Sequence, residues 1–97
     1  MITSKQRSEL RGLANRIDTI LQVGKGGMSD QLITQVSDAL RARELIKMRA
    51  LETSPLSPRE AAEALAEACG AEVVQVIGSK FVLYKRNPKE PKIELAK

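Results

Sequence analysis

The chain contains no histidine, no tryptophan and one cysteine, Cys69. Without histidine it has no Ser–His–Asp or Cys–His nucleophile and no Cys/His zinc site. A lone cysteine cannot close an intramolecular disulfide. Cys69 falls in an alanine-rich helical run, where a free thiol behaves as a small buried hydrophobe. No apolar run approaches the ~18 residues of a membrane helix. The polar start, MITSKQRSEL, has no signal-peptide core. A soluble, cytoplasmic protein is expected, with no cofactor.

What is present suits one small domain. The 97 residues are 42% hydrophobic and 29% charged, enough for one modest core spanning residues 1–97. No internal repeat or low-complexity segment divides them. The net charge of +4 is unevenly spread. Met1 to Leu51 carry nine Lys/Arg against five Asp/Glu, Glu52 to Glu72 hold five acids and one base, and Val73 to Lys97 hold six bases and two acids. That order predicts a surface with a positive and a negative side.

Local patterns give the elements. Thr3 and Gln6 fit a capping box, and Leu10, Leu13, Ala14 and Ile17 follow at helical spacing, so a helix covers about Thr3 to Asn15. Arg7 and Arg11 lie on one flank of its apolar stripe, Lys5 and Arg16 on the other. Gly12 weakens this helix by about 1 kcal/mol relative to alanine. Thr19 to Val23 reads as a strand. A second helix runs from Ser29, with Leu32, Ile33, Val36, Ala39 and Leu40 inward, to about Arg41–Arg43. Glu44 to Leu51 alternates as a strand, with Lys47 and Arg49 on a solvated face. Ser57-Pro58-Arg59-Glu60 joins N-cap, N1 proline and capping-box glutamate, and the helix it opens ends at Gly70. Glu60, Glu63 and Glu67 stripe its wet face. Glu72–Ile77 and Lys80–Arg86 are strands joined by a type II′ turn at Gly78-Ser79. Pro88 and Pro91 close the regular structure, and Lys92 to Lys97 form a loose basic tail. The order α-β-α-β-α-β-β predicts an α/β fold, α+β-like and two-layered, with a four-stranded mixed sheet.

One stretch stands out, Val23-Gly24-Lys25-Gly26-Gly27-Met28-Ser29. Glycines free the backbone for close approach by a partner, Ser29 caps the next helix, and Lys25 adds charge. The N–H groups of that helix start could hold a phosphate. The phosphate loop G-x-x-x-x-G-K-[ST] is not matched, because the lysine precedes the last two glycines. The dinucleotide fingerprint G-x-G-x-x-G fails at Ser29. What fits is G-x-x-G, Gly24 to Gly27, between strand and helix, the form that clamps nucleic-acid backbone in K-homology domains. A purely structural turn remains the alternative.

The wider chain resembles a known family. MITSKQRSELRGLA, ILQVGKGGMSDQLI, ALRARELIKMRAL, AEVVQVIGSKFVLYKR and PKIELAK are similar to YhbY-type bacterial proteins, the free-standing form of the CRM (chloroplast RNA splicing and ribosome maturation) domain. The resemblance implies a fold similar to the C-terminal domain of initiation factor 3 and RNA binding without catalysis. For bacterial members it implies association with precursors of the large ribosomal subunit, hence ribosomal RNA. By motif it carries the RNA role onto Gly24, Lys25, Gly26 and Gly27 and onto Lys5, Arg7 and Arg11. It extends to Arg41, Arg43 and Lys47, although Arg43 could pair with Glu44 and Lys47 could be an ordinary strand residue. Tyr84 and Arg86 form a candidate stacking and phosphate pair, with a partly buried sheet tyrosine as the alternative. Only Phe81 and Tyr84 are aromatic, so the stacked-base mode of an RRM has no support.

The leading expectation is a monomeric RNA-binding module for ribosomal RNA. A protein-interaction domain whose basic face meets an acidic protein is the alternative. A small hydrolase lacks any residue set to carry it.

Overall fold

The computed structural model describes residues 2–89, 91 and 93. Helix α1 (Ser4–Ala14) begins at the expected capping box: Thr3 Oγ1 accepts the Gln6 amide at 3.1 Å, and Gln6 Oε1 accepts the Thr3 amide at 3.0 Å. Then come β1 (Thr19–Val23), α2 (Asp30–Arg43), β2 (Leu45–Ala50), α3 (Pro58–Cys69), β3 (Glu72–Ile77) and β4 (Lys80–Tyr84). The sheet order is β1-β2-β4-β3, with β1 parallel to β2 and the other pairs antiparallel. Gly78 has φ of +58° while Ser79 has none in the left-handed region, the combination that a type II′ hairpin requires.

Strand alternation sorts the core into two clusters. Ile46, Met48, Phe81 and Leu83 face α2 and α3, whose Val36, Leu40, Ala61 and Leu65 close over them. The short alanines of α3 let it lie close to the sheet. Leu45, Val74, Val82 and Tyr84 face the other way and meet Leu10 and Ala14 of α1. The α/β class, element order and mixed sheet are as expected. The expected two layers gain a partial third, because α1 covers one end of the face that α2 and α3 leave open.

Two boundaries differ from the sequence reading. Glu44 does not open β2; it caps α2 with φ of +64° and is fully buried. Its Oε2 accepts the Asn87 amide at 2.6 Å, its Oε1 the Ile93 amide at 2.8 Å, and its carbonyl the Lys85 amide at 2.9 Å. Strand β4 ends at Tyr84 rather than Arg86, because its partners run out there: Tyr84 stands opposite Leu45 and Glu72, the first residues of β2 and β3. Beyond it, Lys85 Nζ donates to Cys69 O at 2.8 Å, at the end of α3. The chain after β4 is therefore tethered at Asn87 and Ile93. Of the tail expected over Lys92–Lys97, only Ile93 lies within the described residues.

Candidate nucleic-acid interface

The glycine loop joins β1 to α2 as a tight turn: the Gly27 amide donates to Gly24 O at 3.0 Å, and the Ser29 amide to Gly27 O at 3.1 Å. Its glycines have different jobs. Gly27 is buried, has φ of +61°, and a Cβ there would meet Pro55 Cγ at 2.9 Å. The chain's own loop fills that space, so Gly27 serves the fold. At Gly24 a Cβ would make ordinary contact with Leu51 at 3.6 Å. At Gly26 it would meet nothing within 4 Å, and φ lies outside the left-handed region. Lys25 and Gly26 form the exposed tip. The start of α2 is partly committed: Ser29 Oγ accepts the Leu32 amide at 3.1 Å, and Asp30 adds a negative charge in the first turn.

The other predicted cations do not form one cluster. Arg43 and Lys47 share a cleft of about 350 Å³ with Leu13, Arg16, Ile17 and Ile93. Arg41 and Arg86 line a separate groove of about 460 Å³ with Ser37, Lys85, Asn87, Pro88 and Lys89. The groove sits at the C-terminal end of α2 and the glycine loop at its N-terminal end, about 20 Å apart along a 14-residue helix. Arg41 also pairs with Asp38 at 3.6 Å. Lys5 and Arg11 are exposed on α1. Lys85 and Lys89, not singled out from sequence, also line the groove of Arg41 and Arg86, and Lys85 Nζ is engaged with Cys69 O.

Two predicted contacts are reassigned. Arg7 Nη1 bonds the carbonyls of Val73 and, at 3.3 Å, Val74, where a register shift in β3 leaves the edge-strand backbone open. Arg7 thus ties α1 to the sheet. Tyr84 is only 4% exposed, packed with Leu10 and Ala14, and has no ring face left for a base. Burial, with the Glu44 carboxylate nearby, pushes its hydroxyl pKa up. Tyr84 thus follows the buried alternative, and its burial is almost complete. Burial also raises the Cys69 thiol pKa, in keeping with a packing role. Glu60, Glu63 and Glu67 are exposed on α3, on the layer across the sheet from α1. Among the described residues there is no cluster of potential metal ligands, and no helix is long and apolar enough to cross a membrane.

A sequence model of the CRS1 / YhbY (CRM) domain matches residues 2–85. The chain belongs to the CRM family. This CRM chain is 43% identical over 95 residues to the Bacillus subtilis "Probable RNA-binding protein YqeI", a match covering 98% of this chain and 99% of that one. It is 37% identical over 86 residues to the Methanocaldococcus jannaschii "Probable RNA-binding protein MJ0652", covering 87% of this chain and 63% of the relative. The fold matches the solution structure of the hypothetical protein SAV1595 from Staphylococcus aureus with a TM-score of 0.82 and 46% identity, covering 99% and 100% of the two chains. These curated relatives of the CRM chain carry names for RNA binding rather than for a reaction.

Proposed function

We propose that this CRM protein binds RNA as a cytoplasmic monomer and performs no chemistry on it. Its target is ribosomal RNA in precursors of the large subunit, whose assembly it assists by holding the phosphate backbone. The observation that carries the reading is Gly26. It stands at an exposed tip beside Lys25, where neither backbone angle nor any neighbour calls for glycine. A side chain is left out where only an outside partner would meet it. Lys5 and Arg11 supply cations on α1, Arg43 and Lys47 line the cleft beside it, and Arg41 and Arg86 line a further groove, both at the end of α2 opposite the glycine loop. Contacts of this kind position a protein and carry little base information, so sequence selectivity is modest.

The test replaces Lys25 with Glu and, separately, Gly26 with Asp, and measures binding to ribosomal RNA while circular dichroism monitors folding. Loss of RNA binding by folded variants supports the reading. RNA binding equal to wild type, with loss of a protein partner alone, assigns the face to an acidic protein instead.

A further inference from the structure

Helix α1 covers only part of its face of the sheet. The covered rows end at Val82, which is 2% exposed and pairs with Lys47 and Gln75. In the next row toward the hairpin, Gln22, Arg49, Lys80 and Ile77 lie side by side across all four strands. All four are exposed, Ile77 by 64%. Alternation places them on the α1 side, since Val23, Met48, Phe81 and Val76 pack in the opposite core. Arg49 and Lys80 are direct cross-strand partners, a like-charge pairing that disfavours the sheet. Neither makes an ion pair with a described residue. The fold therefore holds two unneutralised cations together beside a bare isoleucine, with no acid in the row.

The row also adjoins the glycine loop. Gln22 precedes Val23, whose carbonyl accepts the Leu51 amide at 2.9 Å, and the Ala50 amide donates to Ser79 O in the hairpin turn at 2.8 Å. At a strand spacing of ~4.8 Å the row spans about 14 Å. We propose that this row is a second RNA contact, along which a strand held at the Lys25–Gly26 tip continues over the sheet. Arg49 and Lys80 hold successive phosphates, and Ile77 packs against a sugar or base. The inference rests on the RNA-binding reading, and its charge and its continuity with the loop select a polyanion as occupant.

The test measures binding of wild type, Lys25→Glu and the double variant Arg49→Gln/Lys80→Gln to a uridine homopolymer across a salt series. The double variant is expected to bind several-fold more weakly, with a log–log salt slope shallower by about 1.4 for two lost phosphate contacts. Its Tm should be unchanged or higher, because a repulsive pair has gone, so unfolding cannot explain the loss. If wild type binds and Lys25→Glu weakens it, but the double variant keeps the full slope, the row is not a contact and the RNA-binding reading stands. If wild type shows no salt-dependent RNA binding but does bind polyglutamate, both readings fall and the face belongs to an acidic protein.

Discussion

Gly27 and Pro55 are packed against each other so closely that a Cβ on Gly27 would come within 2.9 Å of the proline Cγ. The contact locks the loop after β2 against the loop after β1, and it separates the glycines of one motif by purpose. Gly27→Ala combines this clash with a left-handed φ and should cost about 1–3 kcal/mol. Gly26→Ala has neither problem and should leave stability equal, or higher by about 0.4–1 kcal/mol through a less flexible unfolded chain. Urea titrations of the two variants read this directly. Equal destabilisation by both would mean that Gly26 also serves the fold.

Glu44 organises the chain after β4. Glu44→Ala removes a buried carboxylate that accepts the Asn87 and Ile93 amides, and should cost about 2–4 kcal/mol. Hydrogen exchange after Lys85 should accelerate. Glu44→Gly relieves the positive φ but loses the same acceptor, and is expected to destabilise too. A Glu44→Gly protein more stable than wild type would show that strain, not the tether, dominates at this position.

Tyr84 is the only tyrosine in the chain, so tyrosinate absorbance reports on it alone. Burial first, and then the nearby Glu44 carboxylate, raise its pKa in the folded state above that of a free tyrosine. The stabilisation from a neutral Tyr84 is complete below the unfolded value and is lost as pH rises through the folded one. Native protein should therefore ionise at higher pH than urea-unfolded protein, and Tyr84→Phe should remove this part of the alkaline loss of stability. Ionisation at the unfolded value in native protein would mean that the ring is accessible to solvent.

The start of α3 makes a smaller prediction at the acid end. Bonds with Ser57 lower the pKa of the exposed Glu60. Its contribution is present above the unfolded carboxylate value and fades as pH falls through the folded one. Ser57→Ala should cost about 1 kcal/mol at neutral pH, and thermal melts should show a smaller difference in strong acid. A difference independent of pH would leave the cap neutral in character.

The features legible from sequence were those set by neighbours along the chain. Capping boxes at Thr3 and Ser57, the glycine after Cys69, the Gly78-Ser79 turn and the alternation of β2 each involve residues a few positions apart. The helices, strands and mixed sheet followed from them. Contacts made by the chain returning on itself were hidden. Glu44 reaches amides 43 and 49 residues away, so nothing around it signalled a buried carboxylate. Tyr84 read equally as a stacking residue or a partly buried one, because α1, which covers that end of the face, is distant in sequence. The loop kept its predicted turn, but Pro55, from a different segment, decided which glycine faced outward. Arg49 and Lys80 became a pair only through the antiparallel register of β2 and β4.

The most direct measurement is the salt dependence of RNA binding by wild type beside the Gly26→Asp variant. If about four phosphates are held on a single strand, the log–log slope should be near −3. Gly26→Asp should then bind far more weakly with its Tm unchanged. A wild-type slope near zero, or a folded Gly26→Asp that binds RNA as wild type does, would contradict an RNA backbone contact at the loop tip.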